Sequence, residues 1–151
     1  MINIIFNSES VIEERSGNIT GEIYFEIDGQ CFPEKGWNDF PTIILSWWIQ
    51  EFLRIKRYKE KTFEFMFMDG PYSIKGKIEE EKCEIFFIGL DIDEKCIAVV
   101  SQEDVCDMLI KASEEFIQIL KNNMISLEKH SNIVQSCNML KKWKSSSFNM
   151  N

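Results

Sequence analysis

Glu22-Ile23-Tyr24-Phe25-Glu26-Ile27-Asp28 is the stretch whose reading decides the fold class. Ile23, Phe25 and Ile27 alternate with Glu22, Tyr24, Glu26 and Asp28. That period of two is the pattern of a strand with one buried and one wet face. Upstream, residues 3–15 mix β-branched residues with glutamates and end at Ser16-Gly17-Asn18, which predicts a strand running into a turn. Downstream, residues 29–38 form a loop holding Pro33 and Gly36.

Asp39 is placed to cap a helix, and Pro41 suits its first turn because the missing N–H would have had no intrahelical partner. The helix is expected to run to about Arg57. Thr42, Ser46, Gln50 and Arg54 recur every four residues as one narrow polar stripe, and most of the remaining circumference is apolar. Such a helix must be covered on more than one side. Trp47 and Trp48 are read as core residues and Trp37, in the preceding loop, as a lid over the core.

The alternation returns in residues 62–68, where Phe63, Phe65 and Phe67 oppose Glu64, Met66 and Met68. Asp69-Gly70-Pro71 turns the chain into a strand over 72–78, and Glu79-Glu80-Glu81-Lys82 forms a charged hairpin tip. Residues 83–90 are apolar on both faces, as in a central strand, and 95–100 supply a sixth strand. Connections this short favour antiparallel neighbours. Ser101-Gln102-Glu103-Asp104 resembles a capping box ahead of an amphipathic helix ending near Asn122. A weaker helix is expected over 126–143, docked by Ile133, Leu140 and Trp143. The expected architecture is a single α+β domain over residues 1–143, followed by a polar, disordered tail over 144–151. Its mostly antiparallel sheet of about six strands carries one inserted helix and two C-terminal helices, packed mainly on one face.

The composition supports this. With 44% hydrophobic and 13% aromatic residues, the chain of 151 residues is that of a folded globule. The N-terminal residues lack a basic region followed by an apolar run, and no apolar stretch is long enough to span a bilayer, so a cytoplasmic protein without membrane contact is expected. Five cysteines, odd in number and without a CxxC pair, are expected as reduced thiols, mostly buried. The net charge of −8 is uneven. Residues 1–36 hold 7 acids and 2 bases, while residues 101–151 hold 6 of each. That balance disfavours direct nucleic-acid binding, which needs a basic stripe, and favours a basic partner.

Chemistry-bearing motifs are sparse. His130 is the one histidine, so an imidazole base and a shared zinc site both lack partners, and no HExxH, CxxC, GxGxxG or GxSxG pattern occurs. No metal, cofactor or catalytic residue is therefore assigned. Asp39, Asp69 and Glu34 lie in loops beside aromatics, which leaves a small carboxylate-dependent hydrolase or transferase as an alternative. Against it, Asp39 reads as a cap and Asp69 as a turn residue. A structural or oligomeric subunit using the apolar first helix is a further alternative.

The wet face of the sheet is the candidate binding surface. It is expected to carry Glu22, Tyr24, Glu26, Glu64, Met66 and Met68, with Lys75, Lys77 and Glu84 beside them. Acids interleaved with tyrosine and methionine combine steering charge with deformable contact area, which suits a basic protein partner.

Phe32-Pro33-Glu34-Lys35-Gly36-Trp37-Asn38-Asp39-Phe40, then Leu45-Ser46-Trp47-Trp48, then Phe65-Met66-Phe67-Met68-Asp69-Gly70-Pro71-Tyr72 make the patterns FPxxxWxDF, LxWW and FxFMDGPY. They resemble a family of small bacterial proteins that includes immunity proteins of contact-dependent or polymorphic toxin systems. The resemblance covers mainly residues 20–75. It implies a shared fold and a protein that neutralises a cognate toxin by stoichiometric binding, with no cofactor and no turnover.

Overall fold

The computed structural model describes residues 1–148. Strands β1 (Ile2–Phe6), β2 (Ile12–Glu13), β3 (Ile19–Ile27), β4 (Gln30–Phe32) and β5 (Asn38–Asp39) make an antiparallel sheet in which β3 pairs with each of the others. The alternation in β3 holds, with Ile23, Phe25 and Ile27 wholly buried. Asp28 and Gly29 take φ of 48° and 83°, the left-handed pair that folds β3 back onto β4 in a two-residue hairpin loop. The strand expected over 3–15 is interrupted by a 3-10 turn at Ser8–Ser10.

Helix α1 (Pro41–Tyr58) leads to a second antiparallel sheet, β6 (Thr62–Met66), β7 (Ser73–Glu79), β8 (Lys82–Ile88) and β9 (Cys96–Ser101), paired in chain order. Helices α2 (Gln102–Asn122) and α3 (Ser131–Phe148) complete the described chain. The class is α+β with antiparallel strands, as expected. In place of one sheet of about six strands there are two, of five and four.

The division has a physical cause at β6. The indole Nε1 of Trp48 donates to the Met66 carbonyl at 2.8 Å, and the Glu64 N–H donates to Glu51 Oε2 at 3.0 Å. Side chains of α1 thus engage two of the outward backbone groups of β6, which opposes extension of the first sheet across that edge. Each of the first two helices bridges the sheets instead of lying on one face. α1 packs on β3 and β6, and α2 packs on β1 and β9.

Aromatic rings close the seam between the sheets. Phe32 of β4 stacks on Phe87 of β8 at 4.3 Å, and Phe25 lies between Trp48, at 4.8 Å, and Phe67, at 5.7 Å. Burying each such side chain contributes roughly 1.5–3 kcal/mol.

Three local expectations are corrected. Trp48 is 1% exposed, but Trp47 is 46% exposed, because one hundred-degree step around α1 turns it from the sheets toward solvent. Phe40, not Asp39, is the N-cap of α1, and no side chain caps that end. Finally, α3 runs to Phe148, beyond the end expected at residue 143; Lys144, expected in a tail, bonds to Asp107 of α2. The rest of that expected tail, 149–151, lies outside the described residues. The capping box forms as read, with Ser101 Oγ accepting from the Asp104 N–H at 2.9 Å and the Asp104 carboxylate accepting from the Ser101 N–H at 3.1 Å. Ile133 and Leu140 of α3 are buried and Trp143 meets the Phe52 ring edge-on at 5.3 Å. Among the described residues no helix is long and apolar enough to cross a membrane.

Candidate partner-binding face

The six residues expected on one wet face stand on two sheets. Glu22, Tyr24 and Glu26 belong to β3, Glu64 and Met66 to β6, and Met68 follows β6. Their surroundings differ in charge. Across the ladders, Glu26 faces Asn3 and Cys31, and Glu22 faces Asn38, so no base neutralises this row from a directly paired strand position. Across the second sheet, Glu64 faces Lys75 and Glu84 faces Lys77, whose Nζ lies 4.8 Å over the Phe86 ring. The acidic character is therefore concentrated on β3.

Tyr24 sits at the centre of the acidic row and is 9% exposed, more covered than a side chain on a wet face would be. Burial raises its phenol above the ordinary value, and negative charge from Cys31, Glu22 and Glu26 adds to the rise. Glu22 is held in place from both ends, since its N–H donates to Ser10 Oγ and its carboxylate accepts from Asn7 Nδ2, each at 2.8 Å. On β6, Glu64 Oε1 accepts from Ser73 Oγ at 2.6 Å, while Met66 is 56% and Met68 38% exposed.

The loop carboxylates have another use. Asp39 is 1% exposed, and its two oxygens accept from the Phe40 N–H at 2.8 Å, the Trp37 indole at 3.0 Å and the Asp69 N–H at 3.1 Å. This carboxylate ties the loop before α1 to the turn after β6. Trp37 lies edge-on to Tyr72 at 5.4 Å and to Phe67 at 6.2 Å, so it does lid the core. The quoted motif segments thus converge on one buried seam. Sequence reasoning missed this convergence, since the partners of Asp39 include a residue thirty positions away. Glu34 and Asp69 have exposed side chains.

A separate cleft of about 450 Å³ opens between the β2–β3 turn, α1 and the start of α3. It is lined by Ser46, Trp47 and His130 among others. His130 Nε2 lies 3.1 Å from Glu13 Oε2 and links the segment before α3 to β2. Among the described residues no group of three or more His, Cys, Asp or Glu side chains could hold a metal ion. The five cysteines carry free thiols, of which Cys83, Cys106 and Cys137 are buried, Cys31 is half-buried and Cys96 is exposed.

Comparison with protein-family models, with curated proteins and with solved structures finds no match to this chain.

Proposed function

We propose that this protein is a non-enzymatic, cytoplasmic immunity protein that binds and neutralises a cognate bacterial toxin. The observation that carries this reading is the acidic row on β3, where Glu22 and Glu26 flank Tyr24 without a paired base. A row of this kind attracts and orients a basic protein surface, such as the nucleic-acid-binding cleft of a nuclease, and masks it. The net charge of −8 acts in the same direction by accelerating encounter with a basic partner. The commitment of Asp39 to three structural hydrogen bonds weighs against the carboxylate-hydrolase alternative. Exposed methionines at 66 and 68 supply a second, adaptable contact region.

The test is co-expression with the toxic product of a neighbouring gene. The wild-type chain should restore growth and bind the toxin one to one. The Glu22→Lys/Glu26→Lys/Glu64→Lys variant should lose protection while remaining folded at the assay temperature. Retained protection by that variant removes the acidic rows from the mechanism, and turnover of a substrate lost in Asp39→Asn would replace the binding reading with a catalytic one.

A further inference from the structure

The edges of the two sheets are treated differently. At β6 two of the outward backbone groups are engaged by α1, as described above. Among the described residues no side chain engages the outward backbone groups of β1 in this way. The Asp28 N–H donates to the Met1 carbonyl at 3.1 Å, which sets the phase of the antiparallel ladder. Met1, Asn3 and Ile5 are then the residues hydrogen-bonded to β3, and Ile2, Ile4 and Phe6 turn their N–H and C=O groups to the other edge. Among the described residues only β3 pairs with β1.

The same reasoning applies to β9. The Gln102 N–H donates to the Glu81 carbonyl at 2.9 Å, so Val100 and Ala98 face β8 in hydrogen-bonded pairs and Val99 presents its backbone outward. Val99 is also 56% exposed. Only β8 pairs with β9 among the described residues.

These two edges border one groove. A cleft of about 540 Å³ lies along Asn3, Ile4 and Ile5 over Met108 and Ala112 of α2. A second, of about 420 Å³, lies between Ile2 and Val99 over the same helix. Both include Met1, Asn3, Met108 and Lys111, so they are continuous. The groove runs over Met108 and Ala112 of α2, with Asp104, Asp107, Lys111 and Glu115 of the same helix along it, and has a wall of outward amides and carbonyls at strand spacing.

We propose that this groove binds an extended segment of the partner protein as an added strand on β1, with basic and apolar residues in alternation. Backbone groups supply the attachment, as in other cases of strand addition. Charge complementarity selects the sequence. A strand laid beside β1 places alternate side chains in the row of Asn3 and Ile5, and Glu26 and Tyr24 lie across from them on β3. Strands are spaced about 4.8 Å apart, so a lysine or arginine can extend over β1 toward Glu26. The intervening residues face Met108 and Ala112 of α2 beside Lys111, whose charge repels a basic side chain on that side and favours an aliphatic one. The inference rests on the reading of a basic partner and adds to it the form in which that partner binds.

The probe is a capped peptide of about seven residues alternating lysine and valine, added to the full chain. Amide hydrogen exchange should slow at Ile2, Ile4 and Phe6. Asn3 and Ile5, already bonded to β3, should change little. The same peptide with every backbone amide N-methylated should bind at least about tenfold more weakly. Binding without new protection at Ile2, Ile4 and Phe6, or equal binding of the methylated peptide, overturns strand addition and leaves the acidic-face reading intact. Protection at those amides that is unaffected by Glu22→Lys/Glu26→Lys keeps strand addition and sinks charge selection by that face. Absence of binding overturns the proposal, as does protection that rises with protein concentration alone, which would make a second copy the occupant.

Discussion

The indole of Trp37 donates to the carboxylate of Asp39 at 3.0 Å, two residues along the chain, and the same oxygen accepts from the Asp69 N–H at 3.1 Å. A buried carboxylate here acts as a clamp between two loops.

Asp39→Ala should therefore cost about 2–4 kcal/mol in urea unfolding, because buried donors lose their acceptor. Asp39→Asn, which keeps one acceptor oxygen, should cost less. Wild-type stability for the alanine variant would show that the clamp is not needed by the fold.

Adjacent tryptophans should behave oppositely. Trp48→Ala should lose about 3–5 kcal/mol by leaving a cavity and an unbonded Met66 carbonyl, whereas Trp47→Ala should stay within about 0.5 kcal/mol. Denaturant melts of the two variants make the comparison. Trp47→Phe should remove a readily acrylamide-quenched part of the emission of the four tryptophans, and Trp48→Phe a poorly quenched part.

Gly76 of β7 is held by its neighbour across the ladder, Phe63. A Cβ built on Gly76 would lie 2.1 Å from the Phe63 ring, which covers the glycine. Gly76→Ala should destabilise the domain by about 1–3 kcal/mol through overpacking. Combining it with Phe63→Leu should recover part of that loss, and a purely additive double variant would refute the contact as its source.

The buried thiols give a pH signature. Burial pushes Cys83 up to about 11 and Cys106 up to about 12 from an ordinary value of 9.0. A thiol that resists ionisation in the folded state favours folding fully below pH 9.0, and that contribution is lost as pH rises through the folded values. Stability should accordingly fall between pH 9.0 and about 12. Cys106→Ala should flatten part of this decline. At pH 8 a thiol reagent should modify Cys96 first and leave Cys83 and Cys106 unreacted until unfolding.

Most elements of this fold are local in origin and the chain spells them out, whereas the short strands β4 and β5 lie in a segment that reads as a loop and form only by pairing with β3. The alternation of β3 and β6, the capping box at Ser101 and the polar stripe of α1 all depend on near neighbours in sequence, so period and capping chemistry place them. The candidate surface was legible only in part. Glu22, Tyr24 and Glu26 share one side of one strand by the same period, yet their separation from Glu64 and Met66 onto another sheet depends on which groups satisfy the edge of β6. Tertiary structure alone decides such matters. The burial of Asp39 against Asp69, the exposure of Trp47 beside buried Trp48 and the open edges of β1 and β9 are set by contacts between distant segments. Periodicity says which way a side chain turns from its own backbone, but only the packed molecule determines what it meets there.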